Sequence, residues 1–168
     1  MKRIGVYIAF LFSFSGTILA SEVRVKIPKE GWSITFESPD LSKKQESKQN
    51  GEYAFKANSG RFNISLFVEK PHAAGASHKD CYDFYWPQAS KNPMIAKDSV
   101  VMSETPRYVR VQYDIVTTFQ GKEIRDRNVN YYFAFQGRWV DVHISVIAPG
   151  QQDEAIFAAF DKTLAYGS

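Results

Sequence analysis

Cysteine is nearly absent: Cys81 stands alone in 168 residues, so no disulfide can form within the chain and the fold must rest on an apolar core. The three histidines, His72, His78 and His143, do not form a recognised metal-ligand spacing. A soft-ion site from His72, His78 and Cys81 is compatible with the residue types alone. The sequence also lacks a G-x-G-x-x-G fingerprint, a phosphate loop and a G-x-S-x-G elbow, which removes the usual signatures of dinucleotide, phosphate and α/β-hydrolase chemistry. No cofactor is therefore expected.

The chain has only one long apolar run, and it lies at the start. In "MKRIGVYIAFLFSFSGTILA" a basic opening at Lys2 and Arg3 precedes an apolar stretch over residues 4–14 and a small-residue exit at 16–20. That is the pattern of a secretory signal peptide cut after Ala20. The apolar stretch is shorter than the roughly 20 residues a membrane helix needs. Ser21 rather than a cysteine follows the exit, so a lipid anchor is not expected. Residues 1–20 are thus read as the leader and 21–168 as a single exported domain, periplasmic or extracellular, with no membrane span of its own. Two of the 21 basic residues lie in the leader, which leaves the remainder almost balanced against 18 acidic residues. Such a chain is a poor match for nucleic acid.

What is abundant is alternation. Val23, Val25 and Ile27, then Trp32, Ile34 and Phe36, mark two strands that stop at Pro28 and Pro39. "LSKKQESKQNG" has no apolar anchor after Leu41 and reads as a solvated loop. Tyr53 and Phe55 open another strand, and residues 62–68 follow after a turn at Ser59-Gly60. Ser77 with Asp80 makes an acidic capping box, and Cys81, Phe84 and Tyr85 share one face of the helix that it starts. Pro87 is expected to end or break that helix. Three long strands around 109–115, 129–135 and 140–146 come next. A closing helix has Asp153 and Glu154 at its start and a stripe of Ile156, Phe157, Phe160 and Leu164. The fold expected is α+β: an antiparallel β-sheet packed with one central and one C-terminal helix.

Matching apolar faces across the long strands predicts their register, since a slip of one residue would turn every side chain over. A two-residue turn at Gln136-Gly137 pairs Tyr131 with Val142. A three-residue loop at 120–122 pairs Val111 with Tyr131. The outer face then carries Arg110, Gln112, Asn128, Asn130, Tyr132, Trp139, Asp141 and His143. Asp141, His143 and Ser145 form one column of it, which invites comparison with a hydrolase triad. Side chains two apart on a strand leave the sheet in parallel, about 6.5–7 Å apart, and are poorly placed to relay a proton. The eight outer residues are instead read as a polar–aromatic face that binds a protein or an envelope component without catalysis, Arg, Tyr and Trp being frequent at binding hot spots. Two alternatives remain: a hydrolase centred on His143, and an inhibitor of an exported enzyme that inserts the loop "PHAAGASH".

The opening "GWSITFESPDL", with strands, one helix, further long antiparallel strands and a closing helix, resembles the PsbP-like family, which includes the photosystem II extrinsic subunit and bacterial DcrB-type proteins. The resemblance runs through residues 32–164 mainly in the order of elements. It implies a sheet sandwiched by helices and a non-enzymatic accessory role in an exported compartment, and it assigns no site residues.

Overall fold

The computed structural model describes residues 20–168; apart from Ala20, the leader read at 1–20 lies outside the described residues. The strands, all paired antiparallel, form two sheets. The smaller has the order β1-β2-β10, from β1 (Ala20–Lys26), β2 (Ser33–Pro39) and β10 (Ala165–Gly167). The larger is built from β3 (Ser42–Gln49), β4 (Glu52–Ser59), β5 (Phe62–Glu69), β6 (Ile95–Glu104), β7 (Val109–Phe119), β8 (Lys122–Phe135) and β9 (Arg138–Ile147). Its order is β3-β4-β5-β9-β8-β7-β6. With helices α1 (His78–Ala89) and α2 (Glu154–Thr163) the fold is α+β, as the sequence predicts.

Two separate cores hold these layers together. On one face of the large sheet, the alternating apolar residues of β5, β8 and β9 pack under β2 and α2. Phe160 of α2 sits against Phe36 at 4.8 Å between ring centroids and against Tyr131 at 5.2 Å. On the opposite face α1 seats Cys81 against Val109, Val111, Tyr132 and Trp139. Cys81 is fully buried, as its place on the apolar face of α1 predicts.

The ends of α1 follow from local chemistry. The Ser77 hydroxyl accepts the Asp80 N–H, and the Asp80 carboxylate accepts the Ser77 N–H at 2.9 Å, completing the capping box. Pro87 does not end the helix, which continues to Ala89. Being close to the C-terminus, Pro87 interrupts little of the ladder, and Trp86 packed on Tyr113 at 5.3 Å holds the last turn in place.

Three further expectations are corrected. Residues 42–49 are not a loop: they form β3, an edge strand paired to β4 with every residue exposed. Its stability comes from backbone pairing, so it has no apolar alternation to detect, and its lysines guard the open edge. β6 and β10 carry no signal that the sequence reading recognised. The β7–β8 register also differs. Gln120 and Gly121, with φ of 51° and 74°, make a two-residue turn, so Val111 faces Asn130 and Arg110 faces Tyr131. The β8–β9 turn at Gln136-Gly137 is as predicted, and Tyr131 faces Val142. Apolar matching failed at β7 because the sheet is covered on both sides. The apolar side of β7 faces α1, whereas those of β8 and β9 face α2 and the small sheet.

Candidate functional site

The face of the large sheet that carries α1 also carries Asp141, His143 and Ser145. Strand pairing sets their neighbours without reference to apolarity. His143 lies between Ser65 of β5 and Asn130 of β8, and the row continues through Lys56 of β4 to Gln45 of β3. Ser145 lies between Asn63 and Asn128, and Asp141 between Phe67 and Tyr132. Of the predicted face residues, Asn128, Asn130, Tyr132, Trp139, Asp141 and His143 share this face.

Arg110 and Gln112 do not. They point to the opposite side, where Arg110 Nε donates to Asp161 Oδ1 at 2.7 Å and Arg110 Nη2 donates to Gln112 Oε1 at 3.0 Å. Tyr131 also donates its hydroxyl to Asp161 Oδ1, at 2.7 Å, and Tyr108 donates to the Asp161 carbonyl. These residues fasten α2 to the sheet.

α1 divides the shared face. Under it, Trp139 packs on Phe84 at 5.5 Å, and Tyr132 stacks on Tyr85 at 6.2 Å. Trp139 is 1% exposed and Tyr132 is fully buried, so neither is available to a partner in this fold. Beyond α1, over β3, β4, β5 and β9, the face opens into a shallow groove of about 340 Å³. Lys43, Gln45, Lys56, Asn58, Asn63, Ser65, Phe67 and His143 line it. Of these residues only His143 belongs to the face that the sequence predicts. The alternation of 62–68 does mark Asn63, Ser65 and Phe67 as the outward set. Their partner β9 is about 80 residues away, however, with no hairpin to announce the pairing.

Two separate sets of hydrogen bonds hold the polar residues of this face, one beneath α1 and one at His143. Tyr113 donates to Asn130 Oδ1 at 3.1 Å, and Asn130 Nδ2 donates to Asp141 Oδ1 at 2.8 Å. His143 Nε2 lies 2.9 Å from Asn128 Oδ1, an oxygen that only accepts, so the proton is on Nε2. Burial pushes the His143 imidazolium down to about 4, leaving the ring neutral at pH 7. Burial also pushes the Asp141 carboxyl up to about 7, opposed by the Asn130 amide and reinforced by the Glu69 carboxylate.

These two shifts act on stability in opposite senses over the same range. Asp141 binds its proton more tightly when folded, so its contribution falls as pH rises from about 4 to about 7. His143 binds its proton more weakly when folded, so its contribution rises as pH goes from about 4 to about 6.5. Asp141→Asn should therefore leave a stability that increases through that window, and His143→Gln one that decreases. Urea titrations at several pH values measure both, and parallel pH profiles for the two variants would contradict the assignment.

The triad geometry is not formed. The His143 Nε2 proton is given to Asn128, Asp141 is held by Asn130, and Ser145 is 6% exposed with no hydrogen bond to His143. The other candidate groups are also occupied. His72 Nε2 lies 3.0 Å from Glu69 Oε2, and His78 Nδ1 accepts the Ala134 N–H at 3.0 Å. Burial raises the Cys81 thiol well above its ordinary range, keeping it protonated. Among the described residues no group of three His, Cys, Asp or Glu side chains is placed to hold a metal ion. No described helix is long and apolar enough to cross a membrane.

Fold and site together define a class: an α+β domain whose large antiparallel sheet is covered on one face by a helix and a small sheet, and half covered on the other. No protein-family model matches the sequence, and no curated protein is significantly similar to it. The fold itself is similar to that of a solved structure, LpqN, which is described as involved in cell envelope biogenesis of Mycobacterium tuberculosis. The likeness spans 89% of this chain and 92% of LpqN, with a TM-score of 0.50 and 12% identity. A crystal structure from Bacteroides thetaiotaomicron is similar over 80% of this chain and 45% of its own, with a TM-score of 0.44 and 13% identity.

Proposed function

We propose that this is an exported accessory protein that binds a component of the cell envelope through the open half of the α1-side sheet face, and that catalysis is not its role. The observation that carries the reading is the division of that face. α1 is packed against one half, while the polar other half lies open as a groove with hydrogen-bonding groups from four adjacent strands. A leader at residues 1–20 would deliver the chain to that compartment. The resemblance of the sequence to PsbP-like proteins in element order and the likeness of the fold to that of LpqN support an accessory role.

The binding surface is thereby moved from the full outer face to Asn63, Ser65, Lys56 and His143, with Asn128, Asn130 and Asp141 as its buttress. Ser65→Trp fills the groove from a strand position whose side chain points outward, and it leaves both cores untouched. Retention of solubilised envelope fractions on immobilised protein should drop about tenfold in this variant, the equivalent of ~1.4 kcal/mol. Retention of nothing by the wild type, or equal retention by both proteins, would falsify the reading.

A further inference from the structure

We propose that the groove takes an acidic oligosaccharide, seated across the strands with its carboxylate or phosphate groups on Lys43 and Lys56. This inference rests on the binding role proposed for the face and adds the chemistry of the ligand.

Charge is the first argument. The groove lining contains two lysines and no carboxylate. The Gln45–Lys56–Ser65–His143 row places Lys56 near the middle, between uncharged groups on either side. Glu46, the nearest acid on β3, alternates to the other face, where it pairs with Phe55. Asp141 belongs to the adjoining row, and its carboxylate is engaged by Asn130.

The remaining lining argues for a sugar over a protein. Gln45, Asn58, Asn63 and Ser65 offer side-chain amides and a hydroxyl, which can both donate to and accept from ring hydroxyls. His143, protonated on Nε2 and bonded there to Asn128, has Nδ1 as its acceptor. Phe67 adds an aromatic surface at one end, with Lys56 Nζ 5.5 Å from its ring centroid. A protein partner would be expected to meet a central apolar or aromatic anchor, and the exposed large apolar side chains, Met94, Val101, Met102, Phe119 and Ile147, all lie outside this lining. The groove crosses four strands, about 14 Å at the usual spacing, which suits a short, extended chain of sugar rings. An acidic chain would also be drawn by the charge of edge strand β3 as a whole, in which Lys43, Lys44 and Lys48 outnumber the single acid Glu46.

The test is isothermal titration of the protein with oligogalacturonate, with the same oligomer neutralised as its methyl ester, with polyglutamate and with inorganic phosphate, extended to a panel of acidic glycans. Acidic oligosaccharide is expected to bind at least about tenfold more tightly than its ester. Binding should weaken as salt rises, and Lys56→Glu should reduce affinity about tenfold or more with an unchanged melting temperature. Equal binding of acid and ester, tighter binding of polyglutamate, or binding of phosphate alone would each overturn the ligand class. So would silence across the whole acidic panel. If the panel is silent while Ser65→Trp still loses its envelope component, the ligand class is wrong and the binding face stands. If envelope retention also fails, the binding role is wrong as well.

Discussion

Trp139→Ala is expected to cost about 3–5 kcal/mol of folding free energy, the range for removing a large aromatic side chain from a core. In a chain of this size that lowers the melting temperature by roughly 6–20 °C. The sequence places Trp139 on an outer face, where it would be a binding hot spot and its loss would weaken a partner while sparing stability. The structure reverses this. Its ring is 1% exposed and touches Phe84 at 5.5 Å and Tyr85 at 6.1 Å, so truncation opens a cavity where α1 is seated. Loss of α1 would also expose Tyr132 and Cys81. Denaturant unfolding followed by near-ultraviolet dichroism separates the two outcomes. A cost below about 1 kcal/mol would show that Trp139 does not pack as described.

Asp161→Ala is expected to cost about 2–3 kcal/mol. The carboxylate accepts from Arg110 and Tyr131 at 2.7 Å each, and its removal leaves a guanidinium that is 15% exposed and a fully buried phenol without their acceptor. The Asp161 side chain is itself 36% exposed, so solvent screens part of the ion pair and places the cost below that of a deeply buried one. Arg110→Met in the same background should recover part of the loss, because an unpaired charge is worse than an apolar side chain of similar length. A double-mutant cycle reads the coupling directly, and additive effects would mean that Arg110 and Asp161 do not act as a pair. Ligand binding at the groove should be unaffected by Arg110→Met, since Arg110 lies on the far side of the sheet.

The contrast between Arg110 and His143 shows how far local pattern carries. His143, Asn130 and Asp141 were correctly grouped because β8 and β9 are joined by a two-residue Gln-Gly turn, which fixes register locally. Arg110 and Gln112 were misplaced by one residue, and in a strand one residue is the difference between the two faces. Apolar matching assumes one buried side, and this sheet has two. β7 hides Val109, Val111 and Tyr113 beneath α1 and turns Arg110 toward α2, so its alternation is inverted relative to its neighbours. Cys81 was legible as buried because both its residue type and its helical position point inward.

The groove was hidden for a different reason. Most of its lining comes from β3, β4 and β5, and β3 has no apolar alternation to mark it as a strand; β9 adds His143 through its pairing with β5. The α+β class, the capping box of α1, the apolar stripe of α2 and the alternation within most strands are all legible in the sequence. All of these depend on neighbours a few positions apart. Tertiary structure alone decided which faces are buried, that the polar stretch at 42–49 is an edge strand, and that Lys56, Ser65 and His143 meet in one row. Alternation specifies two faces for a strand but not what covers either one, and the covering layer is supplied by segments distant in the chain.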